Sequence, residues 1–158
     1  IMKIAIFPGT FNPLTYGHIN IAQRASSLFD EVIIAIAKKE NEELLLTTKE
    51  RLSISEDIFS EEKNITPIVF SGLVTDLARE KSSYFIIRGV RTIIDFDYES
   101  VMADMNKKLY PEIETVFLMP DEKFKNISSS LVREIAMLGG DISSFVPPSV
   151  KLALERKL

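Results

Sequence analysis

Short apolar segments alternate with segments of helical periodicity along this chain, and this alternation limits the possible folds more than any other feature. Residues 32–37 are β-branched and almost wholly apolar, which is typical of a strand covered on both faces. Residues 17–29 instead repeat apolar side chains at helical spacing. The pattern predicts strands at 3–7, 32–37, 65–70, 84–87 and 113–119. It predicts helices at 17–29, 47–59, 73–79, 93–109 and 129–138, and after Pro147-Pro148. Thr47 and Glu50 form the pattern of a capping box at the start of the second helix.

Strands that alternate with helices form a parallel sheet whose crossover helices cover both faces. We therefore predict a Rossmann-like, doubly wound α/β fold with five parallel strands, in a single domain over residues 1–158. In such sheets, ligands bind beyond the carboxyl ends of the strands, where the strand order reverses. The loops that follow the predicted strands are therefore the places to look for a functional site.

Composition excludes several classes of function. The chain has no cysteine, which excludes disulfides, thiolate catalysis and cysteine-based zinc sites, and its one histidine excludes a histidine-rich metal centre. A net charge of −4 argues against a main role in electrostatic binding of nucleic acid. No segment approaches the ~20 apolar residues that span a bilayer, and the first residues lack the layout of a signal peptide. We therefore expect a cytoplasmic protein with no nucleic-acid or membrane partner.

The loop after the first predicted strand reads GTFNPLTYGH and contains the single histidine, His18. Thr15 is a good N-cap, so a helix behind it would place unpaired backbone N–H groups and a positive dipole end beside the imidazole. Gly17 would let a ligand approach the backbone closely. We interpret the loop as an anion site in which one hydrogen-bond donor, the imidazole of His18, can stabilise negative charge as it develops during a reaction. The alternative is a capped helix whose histidine is merely satisfied at its surface.

The segment IRGVRTIIDFDYE carries Arg88 and Arg91 directly after the fourth predicted strand. Arginine suits a phosphate site because its planar fork binds two oxygens and keeps its charge. Gly89, between them, would again let the backbone approach a ligand. The alternative is surface ion pairing with the acidic residues nearby, which are Asp95, Asp97 and Glu99.

The segment FKNISSSLVRE follows the fifth predicted strand and opens a helix with Ser128, Ser129 and Ser130. Their hydroxyls and the first helical N–H groups form a second candidate anion cradle, and the alternative is simple N-capping by Ser128. In the predicted fold, all three segments meet at one crevice, which indicates a polyphosphate substrate. No Ser-His-Asp arrangement or pair of catalytic carboxylates stands out, so positioning and charge stabilisation are favoured, as in phosphoryl or nucleotidyl transfer.

These motifs resemble those of a known enzyme superfamily. The TYGH sequence after GTFNP resembles the (H/T)xGH signature of the nucleotidyltransferase α/β superfamily, and ISSSLVRE resembles its second signature. The segment IRGVRTIIDFDYE resembles phosphopantetheine adenylyltransferases in particular. The resemblance implies transfer of an adenylyl group from ATP to 4′-phosphopantetheine, which gives dephospho-coenzyme A and pyrophosphate in coenzyme A biosynthesis. It also implies Mg²⁺, a homohexamer and coenzyme A as a candidate inhibitor. The sequence leaves the ligands of Mg²⁺ open, and ATP phosphates with water are one candidate set.

The resemblance also implies roles for individual residues. His18 would donate a hydrogen bond to the α-phosphate, Thr10 would orient the attacking phosphate, and Arg88 would hold that phosphate. Arg91 would complete the catalytic set and contact ATP. The residues implied in ATP binding are Thr10, Phe11, His18, Gly89, Val90, Arg91, Glu99, Phe124, Lys125, Asn126, Ile127, Ser128, Ser129 and Ser130. Those implied in phosphopantetheine binding are Thr10, Leu73, Val74, Arg88, Met105 and Asn106.

Two positions depart from the family pattern. Glu42 stands where the family usually has a lysine that grips the attacking phosphate, and an acid cannot replace it. The adjacent cations Lys38 and Lys39 are our candidates for that role. Phe124 stands where the family often has tryptophan, which keeps an aromatic surface but loses the indole N–H.

Two other functions are compatible with these motifs. The first is another small-molecule adenylyl- or cytidylyltransferase, such as one acting on nicotinamide mononucleotide, and the segment RGVRTIIDFDYE argues against it. The second is a nucleotide sensor without catalytic activity. The presence of Thr10, His18, Arg88 and Arg91 together argues against such a sensor.

Overall fold

The computed structural model describes residues 1–39 and 44–158, and it contains one parallel sheet. The strands are β1 (Ile4–Gly9), β2 (Glu31–Ala37), β3 (Ile65–Phe70), β4 (Phe85–Gly89) and β5 (Glu114–Leu118). Their order across the sheet is β3-β2-β1-β4-β5, and each neighbouring pair is parallel. The predicted doubly wound fold is confirmed, and the predicted strands lie within two residues of the observed bounds.

Helices connect the strands and cover the sheet. They are α1 (Tyr16–Ser26), α2 (Thr48–Ile58), α3 (Val74–Glu80), α4 (Ile93–Leu109), α5 (Ser129–Met137) and α6 (Pro148–Lys157), with a 3-10 turn at Glu122–Phe124. Helix α2 begins with a capping box in which Thr47 and Glu50 bond each other's backbone N–H, and α6 begins on a proline, as the sequence indicates. Among the helices described, none is both long and apolar enough to cross a membrane.

Alternating side chains of the strands build an apolar layer on each face of the sheet. Ala5 and Phe7 of β1 join the layer formed with α1 and α2, whereas Ile6 joins the layer formed with α3. A third cluster packs α5 and α6 against α2, with Val132 and Val150 at its centre. The central strands are thus covered from both sides, which explains the nearly continuous apolar run at residues 32–37.

The strand order reverses at β1, which lies between β2 and β4. The chain first moves from β1 to β2 on one side and later returns to add β4 on the other side. The loops after β1 and β4 therefore diverge at the carboxyl edge and leave a crevice between them. The fold brings three segments to this edge: the first loop (residues 9–18), the arginine segment (residues 87–99) and the serine segment (residues 124–134).

Candidate active site

Helix α1 begins with a reciprocal cap between Thr15 and His18. The Thr15 hydroxyl accepts a hydrogen bond from the His18 N–H at 3.4 Å, and His18 Nδ1 accepts one from the Thr15 N–H at 3.0 Å. The Tyr16 N–H donates to the Phe145 carbonyl at 2.9 Å. The predicted N-cap is confirmed, but the amides of Tyr16 and His18 already have partners. Binding of an anion at this helix end therefore depends more on the imidazole, and less on the backbone N–H groups, than the sequence predicts.

Hydrogen bonding and burial decide the protonation state of His18. Because Nδ1 accepts the Thr15 N–H, the proton of the neutral ring lies on Nε2. Burial, and then the charges of Arg88 and Arg91, lower the pKa of His18 from 6.5 to about 4. The imidazole is therefore neutral at pH 7 and can donate one hydrogen bond through Nε2.

Aromatic packing orients the same imidazole. The Phe11 ring contacts His18 edge to face, with ring centroids 5.0 Å apart, and Phe7 packs edge-on against Phe11 at 5.4 Å. Phe11 is buried and has a positive φ of 51°. A Cβ on Gly9 would lie 3.2 Å from the Phe11 ring, so the close turn over this ring favours glycine. Phe11 thus forms a fixed wall beside the histidine.

Arg88, near the end of β4, is oriented by an acid from α4 and by the first strand. Its Nε and Nη2 donate to Glu99 at 2.8 and 2.6 Å, and its Nη1 donates to the Pro8 carbonyl at 2.8 Å. Glu99 is only 8% exposed, so the bidentate pair is largely shielded from solvent. These contacts hold the guanidinium between the ends of β1 and β4.

Arg91 connects the loop after β4 to the segment before α5. Its Nε donates to Asp95 at 3.2 Å, and its Nη1 donates to the Ile127 carbonyl at 3.0 Å. The alternative of ion pairing is therefore correct in part, because Arg88 and Arg91 both pair with acids of α4. Both side chains also line the crevice, so the pairing holds their charge at the site.

The three serines before α5 make different contacts. Ser128 caps the helix by accepting the Leu131 N–H at 3.2 Å. Ser129 donates to the Pro13 carbonyl at 2.8 Å, which joins the second signature to the first loop. All three serines line the crevice. N-capping by Ser128 is thus confirmed, but it accounts for only one of the hydroxyls.

Two cavities adjoin at this edge of the sheet. The first, of about 420 Å³, contains residues from the first loop, the arginine segment and the serine segment, including Phe11, Asn12, Gly17, His18, Gly89, Arg91, Phe124, Ile127, Ser128, Ser129, Ser130 and Arg133. The second, of about 520 Å³, includes Lys38, Lys39, Ser71, Leu73, Val74, Tyr98, Met102 and Asn106. Both are lined by Pro8, Gly9, Thr10, Arg88 and Glu99. The cavities therefore meet at a shared wall that holds a hydroxyl and a guanidinium.

Comparison with known proteins identifies the family. Residues 6–135 match the family model described as cytidylyltransferase-like. A phosphopantetheine adenylyltransferase of Alkaliphilus metalliredigens (strain QYMF) is 47% identical over 156 residues, which cover 99% of each chain. The chain belongs to the phosphopantetheine adenylyltransferase family. The enzyme of that name from Paraburkholderia xenovorans (strain LB400) is 43% identical over 157 residues, covering 99% of this chain and 92% of the relative.

A solved structure supports the fold independently. The structure described as a nicotinate-nucleotide adenylyltransferase from Vibrio parahaemolyticus superposes with a TM-score of 0.73 and covers 99% of this chain and 93% of its own. Its sequence is 18% identical, so the similarity concerns the fold.

The structure brings most residues expected from the phosphopantetheine adenylyltransferase family into the two cavities. Val90, Lys125 and Asn126 line neither cavity, and the Val90 N–H instead bonds the Leu118 carbonyl at 3.0 Å. In the second cavity, Leu73, Val74 and Asn106 are present, whereas Met105 is half exposed and outside the lining. Contact of all these residues with a substrate stays a prediction.

The two departures from the family pattern have different outcomes. Glu42 lies outside the described residues. Lys38 and Lys39 line the second cavity, as the proposed replacement of the family lysine requires. Phe124 lines the first cavity, and its ring centroid lies 6.1 Å from that of Tyr16.

Sequence reasoning missed several residues of the site. Tyr98, Met102 and Asn106 lie four residues apart and together present one face of α4 to the second cavity. Helical spacing places Tyr98 and Met102 on this face, but it does not distinguish a cavity lining from a core or subunit contact. Asn12 and Arg133 carry no helical-spacing signal, but both lie inside the quoted motifs, Asn12 in GTFNP and Arg133 in ISSSLVRE, and those motifs could have found them. The Arg133 Nη1 donates to the Asn12 carbonyl at 2.6 Å, a contact between α5 and the first loop that depends on the fold.

The described residues offer no cluster that would hold a metal ion with protein ligands alone. No group of three acids or histidines that could hold a metal ion occurs among residues 1–39 and 44–158. The carboxylates nearest the arginines, Asp95 and Glu99, are already engaged by Arg91 and Arg88. A hard cation that prefers several oxygens would have to take most of its ligands from elsewhere.

Proposed function

We infer that this chain transfers the adenylyl group of ATP to 4′-phosphopantetheine and releases pyrophosphate, a step of coenzyme A biosynthesis. The observation that carries this function is the junction of the two cavities at Thr10 and Arg88, with His18 in the wall of the first. Two substrates bound in adjoining cavities would meet there. Membership of the phosphopantetheine adenylyltransferase family assigns them as ATP and 4′-phosphopantetheine.

We assign ATP to the first cavity and phosphopantetheine to the second. The first contains His18, Arg91 and the serine segment, which suit a triphosphate. The second contains Arg88 together with apolar side chains such as Leu73 and Met102, which suit a terminal phosphate on a flexible, partly apolar arm. The phosphate of phosphopantetheine would thus lie against Arg88 and the Thr10 hydroxyl, facing the α-phosphate of ATP.

The reaction is an in-line displacement at the α-phosphorus of ATP. An oxygen of the phosphopantetheine phosphate forms a new bond to that phosphorus, and the bond to the bridging oxygen of pyrophosphate breaks. No covalent enzyme intermediate is needed, so positioning and charge stabilisation supply the catalysis. Neutral His18 donates through Nε2 to an α-phosphate oxygen as negative charge increases there, and Arg91 stabilises the departing charge.

We propose that Mg²⁺ enters with ATP, held by phosphate oxygens and water. The described residues do not fit a resident site for this ion, and no step assigned to them requires one. We expect the enzyme to act in the cytoplasm, where ATP is available, and coenzyme A to compete for the second cavity as an inhibitor.

We also propose that copies of the chain assemble into a hexamer, with α4 as one contact surface. Ile94, Tyr98, Val101 and Met105 follow each other along α4 at helical spacing and are at least half exposed. An exposed apolar row of this kind is typical of a subunit interface. Light scattering should give a hexameric mass, and Val101→Glu should lower it. A monomeric native protein would contradict the proposed assembly.

Release of pyrophosphate from ATP in the presence of 4′-phosphopantetheine tests the function directly. We expect turnover with this pair and little or none when nicotinamide mononucleotide replaces phosphopantetheine or CTP replaces ATP. Turnover with nicotinamide mononucleotide but not with phosphopantetheine would favour an adenylyl- or cytidylyltransferase that acts on nicotinamide mononucleotide. Bound ATP without any release of pyrophosphate would favour the nucleotide sensor.

A further inference from the structure

Arg51 is a buried cation that the proposed reaction does not use. It lies on α2, between the capping residue Thr47 and the core residue Ile54, and only 2% of its surface is exposed. Burying a charged side chain is costly unless its donors are satisfied and its charge is useful or compensated. Its location therefore requires an explanation beyond ordinary packing.

The guanidinium of Arg51 joins three segments of the chain at the carboxyl edge of the sheet. Its Nη1 donates to the Thr10 and Ala37 carbonyls, both at 2.8 Å, and its Nε donates to the Leu46 carbonyl at 3.3 Å. Its Nη2 donates to the Thr48 hydroxyl at 3.1 Å. These acceptors are all uncharged. The contacts thus satisfy most of the five donors without neutralising the charge.

A second buried contact reinforces the same connection. Asn12 is 4% exposed, and its side-chain oxygen accepts the Leu46 N–H at 3.0 Å. Leu46 is therefore bound through its N–H to Asn12 and through its carbonyl to Arg51. The loop after β1 and the chain entering α2 are held together by two polar bridges that water barely reaches.

These bridges lie beside the two cavities. Thr10 lines both cavities, and Ala37 directly precedes Lys38 and Lys39 in the lining of the second. Arg51 therefore holds the backbone of Thr10 and the two ends of the connection between β2 and α2. Burial lowers the pKa of Arg51, but a guanidinium stays protonated at neutral pH.

We propose that Arg51 is a positioning residue for the attacking phosphate, an inference that rests on the proposed function. It holds the Thr10 backbone so that the hydroxyl faces the junction of the cavities, and it holds the start of the lysine-bearing connection against that junction. Because its acceptors among the described residues are all uncharged, the guanidinium also adds a positive potential behind the phosphate. Thr10 also lines the first cavity, but ATP binding depends mainly on His18, Arg91 and the serine segment, which Arg51 does not contact.

The test compares Arg51→Lys and Arg51→Gln with Ser83→Ala. Ser83 is a buried matched control, because its hydroxyl also bonds backbone carbonyls, those of Ile4 and Phe85, at the opposite edge of the sheet. Circular dichroism first defines a temperature at which all variants are folded. We then measure kcat and the KM for each substrate, and the hydrogen exchange of the Leu46 amide.

We expect Arg51→Gln to raise the phosphopantetheine KM about tenfold and to lower kcat by about 10- to 100-fold, with the ATP KM within about twofold of native. Arg51→Lys should recover part of this loss because it restores the charge. The Leu46 amide should exchange faster in both. Ser83→Ala should lower the melting temperature and leave all kinetic constants unchanged.

Native kinetic constants in folded Arg51→Gln, or equal increases in the KM for both substrates, would overturn the positioning role. If Arg51→Gln does not fold, Arg51→Lys alone decides, through the same difference between the two KM values. An inactive native protein would instead overturn the proposed function, so the two failures are distinguishable.

Discussion

His18 Nδ1 accepts a hydrogen bond from the Thr15 backbone N–H at 3.0 Å, so the same residue that caps helix α1 selects the tautomer of the histidine. The proton is placed on Nε2, the nitrogen on the other side of the ring from Thr15. The start of the helix and the chemistry of the site are therefore determined by one contact.

Removal of the imidazole should affect the chemical step more than ATP binding. We expect His18→Ala to lower kcat by ~10²–10³, the effect of losing one donor that acts in the transition state. The ATP dissociation constant, measured by calorimetry, should change little. A loss of ATP affinity with unchanged kcat would show that His18 binds the ground state instead.

The single histidine makes its titration directly observable. Since the pKa of His18 is lowered from 6.5 to about 4, its ring signal in an NMR titration should stay constant from pH 8 down to about pH 5. A midpoint near 6.5 would contradict the burial and the influence of the two arginines.

The same shift in pKa predicts the pH dependence of stability. Between pH 4 and 6.5 the unfolded chain binds the histidine proton and the folded chain does not. The free energy of unfolding is therefore not reduced by His18 above pH 6.5, and it decreases as the pH falls from 6.5 towards 4. Urea unfolding should show this decrease in the native chain. In His18→Gln, which lacks a titrating group here, the decrease over this range should be smaller.

The fork of Arg88 should matter more than its charge. Lysine cannot reproduce the bidentate pair with Glu99 together with the bond to the Pro8 carbonyl. We expect Arg88→Lys to raise the phosphopantetheine KM by about 10- to 100-fold, as for loss of a hydrogen bond to a charged group. Arg24→Lys is the control, because the Arg24–Asp121 pair is half exposed and lies outside both cavities. Equal effects of the two substitutions would contradict a specific role for Arg88.

A methyl group at Gly17 should separate binding from stability. A Cβ there would lie 3.4 Å from the Thr15 hydroxyl oxygen and 3.7 Å from the Phe124 and Ile127 carbonyl oxygens, so the protein can accommodate it. Gly17→Ala should keep or slightly raise the melting temperature, because alanine favours helical backbone over glycine, by up to about 1 kcal/mol in a helix interior. The methyl group would occupy part of the first cavity, and the ATP KM should rise about tenfold while the phosphopantetheine KM is unchanged. A native ATP KM would mean that ATP does not approach α1.

Lys38 and Lys39 line the second cavity and are our candidates for replacing the family lysine at position 42. We expect Lys38→Ala or Lys39→Ala to raise the phosphopantetheine KM at least several-fold, because either substitution would remove a positive charge that attracts the phosphate of phosphopantetheine. Lys151→Ala is the control, since Lys151 bonds Ser143 near the start of α6, outside both cavities. If both substitutions leave this KM unchanged, the replacement does not occur.

Much of the fold is predictable from local patterns. The capping box of Thr47 and Glu50, the N-cap Thr15 and the apolar run at residues 32–37 depend on neighbours within a few residues, so the sequence expresses them directly. The signature segments also indicate which loops form the site. By contrast, the sequence could not decide which acid pairs with Arg88 and which with Arg91. Several carboxylates lie nearby along the chain, and the sequence does not distinguish between them.

The sequence by itself determined the alternating elements, their caps and the motifs that place this chain in its family, because each depends on short-range periodicity or on contiguous residues. Only the tertiary structure decided that Arg88 reaches the Pro8 carbonyl across 80 positions and that Arg51 reaches the Thr10 carbonyl across 41. Such contacts depend on the order of the strands. They also depend on which backbone carbonyls are buried away from water and so accept hydrogen bonds from protein groups. That is why a charged residue on an ordinary helix, Arg51, carries no sign in the sequence of its place behind the site.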